Sequence, residues 1–302
     1  MLDEGTGFFN YQDFKQGLPL TTAPNWAIDS GAFTYHTNYD SVVTMTPGST
    51  TLDDIAIATR PMAPIVPGSG QKVWFEAELA LGAVTAVNGV FVGLVNAKAL
   101  GSKLLIKATS ATKNSNQIGT TSGGQSGYGF WLHADAPTNF DAVWFNNLQA
   151  ATGCTDLEAT TATNSGLVLA SVLTANANNP NTANQGFVPA TPPGAMVAIN
   201  TSTVGGLNPQ QLLFAQDPNQ NPQVYLPNST SGASGFVKLG LRYDGQQYLY
   251  FYVNGAQVAK LAITSAMDVT SDFAGVVQLQ ALGTGASPAH IAWMRTSALL
   301  VP

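Results

Sequence analysis

The sequence predicts an all-β protein, a jelly-roll sandwich over 25–302 with an N-terminal arm at 1–24 and a loop-rich lobe inserted at about 153–235. Three observations predict it. The stretch FVKLGLRYDGQQYLYFYVNGAQVAK at 236–260 alternates with period two and is cut by Asp244-Gly245 and Asn254-Gly255, dipeptides that supply the positive φ of tight hairpins. Elsewhere, short apolar runs are bounded by Gly, Asp, Asn and Pro, with almost no helical period. Finally, 45% apolar residues in 302 suffice for a large core, while only 9% are charged, against roughly 25% in ordinary soluble domains. Thr, Ser, Asn and Gln supply the remaining polarity, a neutral surface suited to dense packing against neighbours.

Taken in order, the arm crowds Phe8, Phe9, Tyr11 and Phe14 into a stretch otherwise rich in Gly, Asp and Gln. Such aromatics either dock on the parent core or reach a neighbouring subunit, and these four are the expected intersubunit contacts. Short strands are expected at 32–39, 42–46 and 55–60. The strongest, KVWFEAELAL at 72–81, sets Phe75, Ala77, Leu79 and Leu81 on one face and Trp74, Glu76 and Glu78 on the other. VFVGLV at 90–95 reads as its partner across a turn at Asn88-Gly89, both being central strands beneath a second sheet. A polar Gly/Ser/Thr/Asn loop fills 109–126, followed by strands at 128–133 and 142–145. The lobe at 153–235 carries eight prolines, little charge and weak periodicity. One short helix is expected there, with Asn208 as N-cap, Pro209 at the first position and the helix running to residue 215. The 236–260 meander comes next, with Leu239/Leu241, Tyr248/Tyr250/Tyr252 and Leu249/Phe251/Val253 each recurring at period two. Strands at 276–282 and 290–297 close the chain.

Composition excludes several functions. The net charge is −6 with eleven Lys and Arg spread thinly, so no basic patch for nucleic acid can be drawn. No apolar run approaches the ~18 residues of a membrane span. The single Cys154 precludes an internal disulfide and a CxxC metal or redox motif. The first residues carry acids and no apolar run, so folding in a reducing cytoplasm is expected.

Catalysis requires converging titratable groups. Of four Glu and three His, only Glu76 and Glu78 share a face, about 7 Å apart along a strand. Sandwich glycosidases place carboxylates on one strand, about 5–5.5 Å apart when retaining, with a Glu-x-Asp-x-Glu signature whose third acid is missing from this run. His36, His133 and His290 show no metal or triad spacing. The glycines of 123–127 lack the Lys and helix of a phosphate loop, and Asp53-Asp54 lacks the oxygen-rich surroundings of a calcium site. The expectation is therefore no enzyme, no cofactor and no metal. Among Trp26, Trp74, Trp131, Trp144 and Trp293, the pair Trp131 and Trp144, flanked by His133, Asp135, Asn139 and Asn146, is the best candidate for a sugar-stacking platform, with burial in the core as the alternative.

Three blocks carry a family resemblance: 72–95, with KVWFEAELAL and VFVGLV; 128–145, opening YGFWLHAD; and 236–261. Together, over about 130 residues, they are similar to tailed-bacteriophage virion proteins with a concanavalin-like or laminin-G-like β-sandwich, some of which decorate or cement the head. The lobe at 153–235 departs from that pattern. The resemblance implies a capsid decoration (cement) protein on the virion surface, made in the host cytoplasm. It would bind the major capsid protein as a homodimer or homotrimer, with the arm and the lobe making the contacts. The alternative is a carbohydrate-binding virion module or fibre protein that contacts host glycans.

Overall fold

The computed structural model describes residues 7–12, 26–28, 31–36, 39–48, 54–59, 64–81, 88–96, 117–120, 126–133, 136–146, 153–156, 165–175, 187–189, 236–265, 267–281 and 288–299. Among them there is no helix. The strands form two large antiparallel sheets and one small one.

Sheet A contains β3 (Gly31–His36), β4 (Tyr39–Pro47), β6 (Lys72–Leu81), β14 (Val237–Tyr243), β15 (Tyr248–Val253), β16 (Ala256–Ala262) and β18 (Ala289–Leu299), in the order β16-β15-β14-β6-β18-β4-β3. An eighth strand, β1 (Gly7–Gln12), pairs with residues 294–299 of β18, beyond the 289–291 stretch that β4 occupies. Sheet B contains β2 (Trp26–Ile28), β5 (Asp54–Ala58), β7 (Asn88–Asn96), β9 (Ser126–His133), β10 (Ala136–Asn146), β12 (Ser165–Ala175), β13 (Phe187–Pro189) and β17 (Phe273–Ala281), in the order β13-β12-β10-β9-β7-β17-β5-β2. A separate ribbon pairs β8 (Gln117–Thr120) with β11 (Gly153–Asp156).

The inner faces make one core. Sheet A contributes Phe75, Ala77 and Leu79, with Leu239, Leu241, Leu249, Phe251 and Val253; sheet B contributes Val90, Val92, Leu94, Tyr128, Phe130 and Leu132. The layers interlock where the Phe130 ring meets Phe251 edge-on at 5.6 Å. Phe75 lies over Gly275, where any Cβ would come within 2.3 Å of its ring. Interdigitation of this kind keeps stacked sheets about 10 Å apart.

The meander forms as expected, yet its two turns work differently. At Asn254-Gly255 both residues have positive φ, +49° and +82°, the primed geometry that matches strand twist. At the other turn only Gly245 is left-handed, at +79°. Asp244 acts there through its side chain: Oδ1 accepts the N–H groups of Gln246, Gln247 and Tyr248 at 2.8–3.0 Å. Burial pulls Asp244 upward, but these bonds outweigh it and hold the carboxyl below its ordinary value.

Four expectations need correction. Residues 7–12 of the arm, set apart from the sandwich in the sequence reading, form β1 against the end of β18. The run at 90–95 does not pair with 72–81. β7 lies in sheet B between β9 and β17, and Asn88-Gly89 begins that strand rather than making a turn. Two strongly apolar runs in succession lie one in each layer, each burying its inner face against the other sheet. The expected strand at 32–39 ends at His36, and Tyr39 already belongs to β4. The lobe is partly continuous with the sandwich, because β12 extends sheet B by pairing with β10. The expected helix at 209–215 lies outside the described residues.

Candidate functional site

The outward side chains of sheet A converge on one polar, aromatic face. On β6 these are Trp74, Glu76 and Glu78, alternating with the core residues Val73, Phe75, Ala77 and Leu79. β14 places Arg242, Gly240 and Lys238 opposite them, and β18 places Ser297, Arg295 and Trp293 on the other side. A bulge between Ile291 and Trp293 sets that last register, bringing the indole opposite Glu78. β15 adds Tyr250 beside Arg242 and Tyr252 beside Gly240, and β16 adds Lys260 beside Tyr250. Trp74, Lys238, Arg242, Tyr248, Tyr250, Tyr252 and Trp293 are all half-buried, and Arg295 is exposed.

The face is held by paired charges. The Arg295 guanidinium is bound to Glu76, its Nε donating to Oε2 at 2.7 Å, and also lies 5.4 Å from the centre of the Trp293 ring. Lys260 Nζ sits 3.5 Å above the Tyr248 ring and 5.6 Å from that of Tyr250. Glu78 is 2% exposed. Burial raises its carboxyl above the usual range, against the opposing pull of Lys238 and a hydrogen bond from Trp293. Beyond Glu78 the face closes over a small apolar cluster of Val42, Ala80 and Phe236, so the open part lies toward Trp74 and Arg242. Gly240 is covered there by the Glu76 side chain, whose Cγ would lie only 3.1 Å from an added Cβ.

Glu76 and Glu78 therefore do share a face, as their spacing implied, but in unequal settings: one is ion-paired and part-exposed, the other buried. The position two residues before the pair is Trp74 and that two after it is Ala80, so the row holds no third acid. Among the described residues, no group of three or more His, Cys, Asp or Glu could hold a metal ion. His290 is buried, its Nδ1 3.0 Å from Thr44 Oγ1.

Trp131 and Trp144 are not brought together. Trp144 pairs with the core residue Tyr128 and packs on the inner face of sheet B, whereas Trp131 pairs with Asp141 on the outer face. Trp131 is 4% exposed and meets Phe91 edge-on at 6.3 Å, so it offers no open ring for stacking. The expected single platform is absent because residues 131 and 144 have opposite parity in the β9–β10 register. Phe8, Phe9 and Tyr11 lie on β1, while Phe14 lies outside the described residues. Sequence reasoning registered the tyrosine alternation of β15 but missed its neighbours Arg242, Trp293 and Arg295. Arg242 could be read from the β14–β15 hairpin register, whereas Trp293 and Arg295 reach the face only through the long-range pairing of β18 with β6.

No family model and no curated protein matches the chain. Solved structures do resemble it. A peanut lectin bound to a nine-residue peptide is 12% identical, with 98% of this chain and 99% of the lectin covered and a TM-score of 0.48. A protein of unknown function from Shewanella oneidensis MR-1 is 9% identical over 98% of this chain and 87% of its own, at a TM-score of 0.46. The CBM2 module of the evolved Dit of Lactobacillus casei BL23 phage J-1 is 7% identical over 98% of both chains, at 0.43. These likenesses are of fold, and none bears on function.

Proposed function

We propose that this chain is a non-catalytic carbohydrate-binding sandwich of a phage virion, with the open face of sheet A as its recognition surface. The observation that carries the reading is the half-exposed set Trp74, Tyr248, Tyr250, Tyr252 and Trp293, interleaved with charged side chains on a rigid sheet. Aromatic rings give sugars a stacking surface, and polar groups between them fix orientation. Catalysis is disfavoured because Glu76 is engaged by Arg295 and no third acid stands on the row. A glycan array tests the reading. Wild type should bind a defined subset, and Trp74→Ala with Tyr250→Ala should lose it while melting normally. An array without hits would refute it.

A second reading is favoured by the 9% charged content. A neutral surface of Thr, Ser, Asn and Gln suits a capsid decoration protein lying across major capsid subunits, as a homodimer or homotrimer on the virion surface. A standard interface buries about 1,600 Å², and icosahedral repetition multiplies it. Co-sedimentation with capsids at a fixed ratio to the major capsid protein, with a raised capsid melting temperature, supports this reading; absence of co-sedimentation removes it.

A further inference from the structure

We infer that the open face of sheet A recognises an anionic glycan, one bearing carboxylate or phosphate groups, with Arg242 as the anion-binding residue. The inference rests on the carbohydrate-binding reading of that face and names its ligand class. A chain that carries only three arginines places two of them here, Arg242 and Arg295, beside Lys238 and Lys260.

Of the three carboxylates on the face among the described residues, two are engaged by other groups and the third is buried. Glu76 is held by Arg295. Asp244 Oδ1 caps the β14–β15 turn, and its Oδ2 is 3.5 Å from the Tyr250 hydroxyl. Glu78 is buried, with Lys238 and Trp293 as its neighbours. Arg242 has no ion pair among the described residues, and its Nε is shielded from solvent with no hydrogen-bond partner. With no carboxylate paired to it and the side chain only half-buried, the guanidinium charge is left for a ligand anion to neutralise.

Placement strengthens the argument. In the register, Arg242 stands between Tyr250 on one side and Trp74 on the other, and Lys260 follows beyond Tyr250. The row Lys260–Tyr250–Arg242–Trp74 thus alternates cation and ring across four strands, about 14 Å at the usual inter-strand spacing. A planar guanidinium takes carboxylate or phosphate through paired N–H donors, while flanking rings accept the apolar faces of the sugars. An acidic polypeptide would meet the same cations but has no sugar faces to place on Tyr250 and Trp74, which is why the glycan is favoured.

Calorimetric titration of the full chain tests this with three glycan probes, an oligogalacturonate, its methyl ester and a phosphomannan, and with polyglutamate as a non-glycan comparison. The expected result is binding of the oligogalacturonate, of the phosphomannan, or of both, weakening as salt is raised. The methyl ester should bind at least about tenfold more weakly than the free acid wherever the acid binds, since one charge-assisted hydrogen bond is worth that factor or more. Arg242→Gln should lose about tenfold on the anionic probe and Arg242→Lys less, both with an unchanged melting temperature. The two anionic probes separate carboxylate from phosphate as the recognised group. Binding of neutral array glycans with no preference for either anion, or an Arg242→Gln variant as tight as wild type, would overturn the inference and leave the carbohydrate reading standing. Failure to bind any glycan would overturn both. Equal binding of polyglutamate and oligogalacturonate would replace the glycan with an acidic protein.

Discussion

Asp268 ties the loop before β17 to the start of β9, and truncating it should be among the costliest single changes in the sandwich. The residue is 2% exposed. Its Oδ1 accepts the N–H groups of Thr270 and Ser271 at 3.0 and 3.1 Å and the Thr270 hydroxyl at 3.2 Å; its Oδ2 accepts the Ser126 hydroxyl at 2.5 Å. Its backbone oxygen also receives the Tyr128 hydroxyl at 3.0 Å. In Asp268→Ala the Thr270 donors turn to water, because that residue is exposed, but the Ser126 hydroxyl and the Ser271 N–H stay buried. Two orphaned groups at about 1–3 kcal/mol each give a loss of about 4 kcal/mol. Asp268→Asn keeps an acceptor and loses only charge assistance, about 1 kcal/mol. Burial pulls the Asp268 carboxyl upward, but the bonds from Ser126, Thr270 and Ser271 outweigh it and leave it below its ordinary value. A depressed carboxyl stabilises fully above its unfolded pKa of about 3.9 and loses that contribution as pH falls through the folded value. The advantage of wild type over Asp268→Asn should therefore hold at pH 7 and shrink below about pH 4. Urea unfolding across this range is the assay. An Asp268→Ala loss under about 1 kcal/mol at pH 7 would refute the reasoning.

Other perturbations follow from the same geometry. Gly93→Ala would put a Cβ 2.2 Å from the Tyr128 carbonyl oxygen and 2.6 Å from Gly129 Cα; the obstacle is backbone, so a loss of at least about 2 kcal/mol is expected in chemical denaturation. Asn254→Ala removes the acceptor of the Lys238 N–H at 3.0 Å and leaves an alanine at a φ of +49°, which should cost about 1–2 kcal/mol by thermal melting. Glu78→Gln removes a carboxyl that burial raises. A raised acid makes the folded state lose stability as pH climbs past the unfolded value of about 4.3, so the variant should gain on wild type between pH 4 and 8; a difference that stays flat with pH would contradict this.

The fold was legible wherever local chemistry sets it. Lys72–Leu81 was readable end to end because its alternation and its flanking glycines agree. The 236–260 meander was readable because Asp244-Gly245 and Asn254-Gly255 mark its two turns, although a bulge between Phe251 and Tyr252 shifts the second register. What the sequence did not reveal was pairing between distant segments. The apolar run of β7 suits either layer, and only the sandwich assigns it to β9 and β17. The run SGLVLASVLTA was hidden among prolines and asparagines, yet it extends sheet B as β12. The site was half legible for the same reason. Glu76 and Glu78 share a face by spacing alone, whereas Arg295 reaches Glu76 across 219 positions. Trp131 and Trp144 looked like neighbours in a platform, but strand parity sends them to opposite faces.

The central claim is that ligand meets the open face of sheet A. Its most direct test follows the indole N–H signals by ¹⁵N NMR while the strongest glycan from the array is titrated in. The account predicts that Trp74 and Trp293 shift together and saturate, with Trp131 and Trp144 unmoved. Shifts at Trp131 or Trp144 instead, or no indole shift at saturating glycan, would contradict it.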